Sequence, residues 1–353
     1  MSRLLGIWCM VYCLMGVPGG FAQQSAGPPV EGKASEVLFA DQTPLSLSLK
    51  ASIKTLRRET NDSTYLEGQL RFQPQDATAD SIAIRVRARG EFRRSNCYFT
   101  PLKLKFHKSE IRGTLFEGNK ELKLVLPCLI GVASDDYVLK EFLAYKLYEV
   151  VSPYHYKTRL VRVDFTEIKG RREREHQLLG FLVEDHGTLA KRLDGKRYRA
   201  KLPPQMQDDE ASLQNNMFEY AIGNTDFSVR LQHNQKLYYF QGKYLSIPYD
   251  FDMSGLVNAP YAMVSNVQTL PVPITEVTER VYKGYRRDSV LVQRVRRQFL
   301  DAKPAMMQCL YDLEPYFKAQ TQYSIAEAYL EDFFKVFEDD RKFEREILNR
   351  MRE

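Results

Sequence analysis

No stretch of this chain is long and apolar enough to cross a bilayer as a helix. Its most apolar run, Leu4 to Val17, falls short of the ~20 residues such a span needs. Familiar catalytic signatures are also missing. There is no G-x-S-x-G elbow, no Walker loop, no H-E-x-x-H and no C-x-x-C pair, which removes nucleophile-elbow hydrolases, P-loop enzymes, zincins and thioredoxin-like redox chemistry. Histidine is sparse and scattered, with only His233 next to other candidate site residues. Neither sign of charge dominates: 51 basic against 45 acidic residues leave +6, too little for a nucleic-acid footprint without clustering onto one face. Internal repeats are absent.

What is present begins with an address. Met1-Ser2-Arg3 supplies a positive end, Leu4 to Val17 an apolar run, and Gly20-Phe21-Ala22 a small-x-small cleavage pattern. These predict a signal peptide over 1–22, a flexible linker over 23–36, and an exported protein, periplasmic or extracellular, without a membrane span. Cys9 and Cys13 leave with the leader. Cys97, Cys128 and Cys309 remain in an oxidising compartment, with Cys97 and Cys128 the preferred pair and no cysteine placed for catalysis.

At 353 residues and 44% hydrophobic content, the chain is globular and large enough for one two-lobed domain or two smaller ones. Period-two alternation predicts strands at Leu45–Leu49, Ile82–Arg87, Leu102–Phe106 and Glu121–Leu126, with a further strand at Thr158–Phe165. Between the last two, Ser134 is expected to cap a helix carrying Asp135 and Asp136 in its first turn. Lys169 to His176 reads as a charged insertion and Asp209 to Ile222 as a helix. The chain beyond Thr275 reads as almost wholly helical, ending in one helix from Ile325 to Arg352.

The most informative stretch is Gly223 to Gly255. Two polar clusters, Gly223-Asn224-Thr225-Asp226 with His233-Asn234 and Tyr249-Asp250-Phe251-Asp252, flank two aromatic strands joined at Gln241-Gly242-Lys243. A three-residue loop would set Asn234 opposite Asp250, and a two-residue loop would shift this by one. Opposed residues lie close enough for an amide and a carboxylate to share one hard cation. The same residue types also serve ordinary turns, because Asn and Asp side chains bond their own backbone.

These clusters, in this order, resemble the spore-coat-protein-H (CotH) kinase family, atypical secreted relatives of protein kinases. Arg89-Gly90 followed by Pro101 to Phe106, Asp136 to Leu147, and Gly180 to Glu184 resemble further segments of that family, so the likeness covers about residues 85 to 260. It implies an α+β, two-lobed protein-kinase-like fold, with a β-rich N-terminal lobe over 37–180 and a mostly helical C-terminal lobe over 181–353. It implies ATP with Mg2+ (or Mn2+) as cofactors and phosphate transfer to hydroxyl side chains of a protein substrate. Carried over, Asp226 is the catalytic residue, and Asn234, Asp250 and Asp252 are metal ligands. Lys123 with Glu141 is the first choice for holding the nucleotide, Lys103 and Lys105 are alternatives, and Arg89 is a phosphate contact. The spacing from Asp226 to Asn234 is longer than the D-x-x-x-x-N of ordinary kinases, and no G-x-G-x-x-G loop is present. These departures leave open a non-catalytic binding or scaffold protein, and AMP transfer would use the same residues.

Overall fold

Seven strands, most of them with alternating burial, build the N-terminal half. The computed structural model describes residues 33–74, 78–265, 267 and 274–353. The expected signal peptide and most of the expected linker therefore lie outside the described residues. Helix α1 (Val37–Ala40) leads into β1 (Leu45–Ala51), helix α2 (Ile53–Glu59), β2 (Leu66–Gln73) and β3 (Asp80–Ala88). Short helix α3 (Glu91–Asn96), β4 (Leu102–Phe106), β5 (Glu121–Val125) and long helix α4 (Val132–Val151) follow. Strands β6 (Thr158–Lys169) and β7 (Arg172–Glu184) complete the set. In β1, β3 and β4 every second side chain points into a common apolar interior containing Leu47, Ile84, Leu104 and Phe116.

The strand order is β1-β2-β3-β4-β5-β7-β6, and it closes on itself. All neighbours are antiparallel except the closing pair, in which β1 runs parallel to β6 from Leu45↔Val161 to Ala51↔Glu167. This finding overturns the two-lobed protein-kinase-like fold expected from the resemblance: a closed seven-stranded mixed barrel replaces an open sheet with one packed helix. Closure satisfies both edges with one long-range pairing. Alternation in each strand records which face is buried but not which strands meet.

Two local expectations change with it. The charged segment Lys169 to His176 is no insertion but the exposed tip of the β6–β7 hairpin, where Lys169 faces Arg172. Helix α4 begins at Val132 after Gly131, and Ser134 lies inside its first turn, its hydroxyl accepting from Leu129 N at 3.1 Å. Strand β7 then becomes buried on both faces from Leu179 to Glu184, because α4 covers the outside of the barrel there.

The second half packs on the free side of α4. Helix α5 (His186–Arg192), β8 (Lys196–Tyr198), α6 (Asp209–Ala221), β9 (Gln235–Phe240) and β10 (Lys243–Pro248) precede helices α7 (Ser289–Asp301), α8 (Lys303–Tyr311), α9 (Gln320–Glu338) and α10 (Asp340–Glu346). Strands β8, β9 and β10 form a separate small sheet. Helices α4, α6, α7, α8 and α9 share a second core that includes Phe218, Phe299, Phe333 and Phe337. The segment 274–288 is not helical, and the expected last helix breaks at Asp339, whose carboxylate accepts from Arg341 N and Lys342 N to start α10. Barrel and helices belong to one compact unit, residues 33–353. No helix among the described residues is long and apolar enough to cross a membrane.

Candidate functional site

The hairpin at the centre of the site turns on two residues. Lys243 pairs with Phe240, leaving Gln241 (φ 45°) and Gly242 (φ 81°) as a loop with both residues left-handed, as a type I′ turn requires. This register places Asn234 opposite Tyr249, whose N–H donates to Asn234 O at 3.0 Å. Asp250, the partner expected from a three-residue loop, is therefore one residue past the observed one, the shift that a two-residue loop gives. Asn234 (φ 49°) and Asp250 (φ 68°) both adopt left-handed backbone, a conformation costing of order 1–3 kcal/mol that concentrates at functional sites.

Two glycines bring the polar clusters together. Gly255 N donates to Gly223 O at 3.1 Å and Leu256 N to Ile222 O at 3.0 Å, so the ends of the stretch run side by side. A Cβ on Gly223 would sit 1.9 Å from the Tyr329 hydroxyl, and one on Gly255 would sit 2.3 Å from it. Only hydrogen at both positions lets α9 close against the loops.

Asp226 is the best-anchored carboxylate in the cavity. Its Oδ2 accepts from Asn234 Nδ2 at 2.9 Å, and its Oδ1 accepts from the Ser265 hydroxyl at 2.7 Å and lies 3.2 Å from His233 Nε2. Asn224 Oδ1 caps the Asp226 N–H at 2.9 Å, the turn chemistry anticipated for this cluster. Beneath it, buried Glu219 on α6 accepts from Asn224 and Gln235, both at 2.9 Å, and burial pushes its carboxyl up to about 8. Buried Lys283 donates to Thr225 O at 2.5 Å and Phe227 O at 2.9 Å, and burial pulls its ammonium down to about 8.

Three carboxylates gather beside this loop. Oxygens of Glu141 on α4, Asp250 and Asp252 lie within 4.8 Å of one another. That spread matches ligands on opposite sides of one hard cation at ~2.3–2.6 Å from each, and a smaller ion would draw them slightly inward. Glu141 Oε1 is buried with no hydrogen-bond partner, a donor atom still to be satisfied. The oxygen-only donor set fits magnesium, manganese or calcium. Arg93 on α3 bridges the other side, with Nη2 at 2.5 Å from Glu141 Oε2 and Nε at 2.7 Å from Asp252 Oδ2. Burial pushes Glu141 up to about 8 and also raises Asp252, Arg93 only partly opposing it. Asp250 moves the other way: burial would raise it, but Arg89, Arg93 and Lys123 together hold its carboxyl below the usual range.

A cavity of about 660 Å3 opens over these groups, lined by Arg89, Arg93, Asp226, Asn234, Asp250 and Asp252 among others. It is large enough for a nucleotide-sized ligand. Arg89 reaches it from the end of β3, and its guanidinium makes no ion pair or side-chain hydrogen bond among the described residues. Of the other residues expected here, Lys123 does not meet Glu141. It is buried on β5 with Nζ 3.3 Å from His186 Nε2 and 4.6 Å from the Tyr249 ring centre, and burial followed by Arg89 lowers its pKa well below the usual lysine range. Lys103 and Lys105 lie instead on the barrel exterior with Glu121, at 2.5 and 3.6 Å. Asn234 points its amide nitrogen at Asp226, and Glu141 takes its place beside Asp250 and Asp252.

No protein-family model matches this chain, and no curated protein matches it. The site therefore rests on its own geometry. Sequence reading missed Arg93, Ser265, Glu219 and Lys283. Only Glu219 left a usable trace: together with Asn215 and Asn216 it makes a polar band on a helix whose every residue from Ala211 to Ala221 is buried.

Proposed function

We propose that this protein is a metal-dependent phosphotransferase that moves a phosphoryl group from a nucleoside triphosphate to a hydroxyl. One observation carries the reading: Asp226, fixed by three neighbours, opens on the same cavity as Asp250 and Asp252, with unpaired Arg89 at its edge. In this reading Asp226 accepts the proton of the attacking hydroxyl as its oxygen bonds to the γ-phosphorus. The bond from that phosphorus to the β,γ-bridging oxygen breaks, and the electron pair leaves on the diphosphate. Glu141, Asp250 and Asp252 would hold a divalent ion, which when bound neutralises phosphate charge. Arg89 would contact a phosphate oxygen, and Asn234 and Ser265 keep the Asp226 carboxylate aimed. The resemblance to CotH kinases supports the same chemistry, with a protein hydroxyl as acceptor. The Cys97–Cys128 disulfide supports export to an oxidising compartment.

A rival reading draws on Arg93, which already occupies two of the three carboxylates and would suit a structural ion-pair cluster in a scaffold protein. Incubation with ATP labelled at the γ or α position, with Mg2+ or Mn2+ and the Asp226→Ala variant as control, separates the readings. Metal-dependent incorporation of γ label that vanishes in the variant supports phosphoryl transfer. Incorporation of α label alone assigns AMP transfer, and incorporation of neither label leaves the scaffold.

A further inference from the structure

A second cavity, of about 470 Å3, lies on the barrel side of α3, away from the carboxylates. It is lined by Lys54, Arg57 and Arg58 of α2, Arg94 and Ser95 of α3, and Tyr98, Glu167 and Lys169. Five cationic side chains thus face one carboxylate. That carboxylate is already satisfied: Glu167 accepts from the Tyr98 hydroxyl at 2.8 Å, lies 3.0 Å from His176 Nε2, and has Lys169 Nζ at 3.4 Å. Lys54, Arg57, Arg58 and Arg94 form no ion pair among the described residues. Arg57 and Arg94 are nonetheless held in place. Arg57 Nε donates to Arg94 O and Arg94 Nε donates to Arg57 O, both at 2.9 Å, and Arg57 Nη2 donates to Ser95 O at 2.9 Å. Each guanidinium has five N–H donors, so this leaves Arg57 Nη1 and both Nη atoms of Arg94 unused.

Four unneutralised cations in one concavity repel one another, and two of them are anchored with free donors. We infer that this cavity binds a phosphoryl group carrying at least two negative charges, either free or borne by a phosphorylated side chain. Multiple oxygens match the unused donors, the charge offsets the repulsion, and the volume suits a compact ligand. The inference is independent of the phosphotransferase reading, since the two cavities share no lining residue and touch only through α3, which carries Arg93 to one and Arg94 to the other.

Isothermal titration calorimetry with inorganic pyrophosphate and with a phosphoserine peptide, in chelator and low salt, tests it. The wild type should bind, and Arg89→Ala, which removes a phosphate contact of the first cavity only, should retain the component of binding that Lys54→Ala/Arg58→Ala weakens. Lys54→Ala/Arg58→Ala should bind about tenfold more weakly, and added salt should weaken binding further. Lys54 and Arg58 are exposed, so this variant keeps the fold even where Arg57→Ala/Arg94→Ala loses it. Tighter binding of pyrophosphate than of the peptide assigns a free anion as the source, and the reverse assigns a protein-borne phosphate. Binding of neither probe, or binding abolished by Arg89→Ala and unaffected by Lys54→Ala/Arg58→Ala, overturns the inference.

Discussion

The barrel and the loops that carry the candidate site are built on opposite terms. Barrel strands use ordinary extended backbone, put apolar side chains inside, and close their own edges. Among the described residues, every non-glycine with a left-handed φ lies between Asp194 and Asn258, and none lies in the barrel. The site region also buries Glu141, Glu219, Asp252 and Lys283, groups that cost several kcal/mol each unless partnered. Left-handed backbone at non-glycine residues is thus confined to one region and absent from the other, as expected where a rigid scaffold holds a reactive constellation.

Substitutions that sharpen or break this contrast can be ranked by size. Asp226→Ala should lower phosphate transfer about 10²–10⁴-fold with little change in melting temperature, as removal of a positioned general base does. An equal loss of stability would instead mark Asp226 as structural. Arg93→Ala strands two buried carboxylates and should cost ~3–5 kcal/mol. Saturating Mn2+ should then raise the melting temperature of this variant more than that of the wild type, because Arg93 and the ion neutralise the same carboxylates. Equal shifts in both would argue against a metal cage.

Within the barrel, Cys97→Ser/Cys128→Ser should cost ~2–4 kcal/mol in chemical denaturation, the usual effect of removing such a cross-link. Because the disulfide ties the end of α3 to the segment entering α4, weaker Mn2+ binding should accompany the loss. Gly223→Ala imposes a side chain on φ 62° and on the Tyr329 hydroxyl, and should cost about 1–3 kcal/mol. The same change at Gly113, also left-handed but with open space around it, should cost less.

A further effect is a pH dependence. Glu219 moves from its ordinary 4.5 to about 8 on folding, so between these values the folded chain holds the extra proton and stability falls as pH rises. Lys283 moves from 10.5 to about 8, so between these values the unfolded chain holds more protons and stability rises with pH. Melting curves of Glu219→Gln should lose part of the decline below pH 8 and keep the rise above it. Identical slopes in variant and wild type would show that Glu219 is ionised throughout.

Legibility followed the same division. Strands β1, β3, β4 and β5 stood where alternation put them, and the aromatic runs either side of Gln241-Gly242 formed the hairpin. The Cys97–Cys128 bond formed as expected, with Cys309 free. The clustering of Asp226, Asn234, Asp250 and Asp252 was likewise readable, because a tight turn fixes what its two arms bring together. Pairings over long separations were not. Arg93 lies 48 residues before Glu141 and 159 before Asp252, and no local pattern relates them.

The sequence by itself determined which faces are apolar, where the chain turns, and which oxygen-bearing side chains flank the hairpin, since these follow from neighbours a few residues apart. Tertiary structure alone decided that β1 and β6 meet to close a barrel, that Glu141 rather than Asn234 joins Asp250 and Asp252, and that Lys123 is buried beside His186 instead of pairing with Glu141. Those outcomes depend on loop closures and on competition for burial among distant segments, energies that belong to the whole fold and leave no mark on any single stretch of the chain.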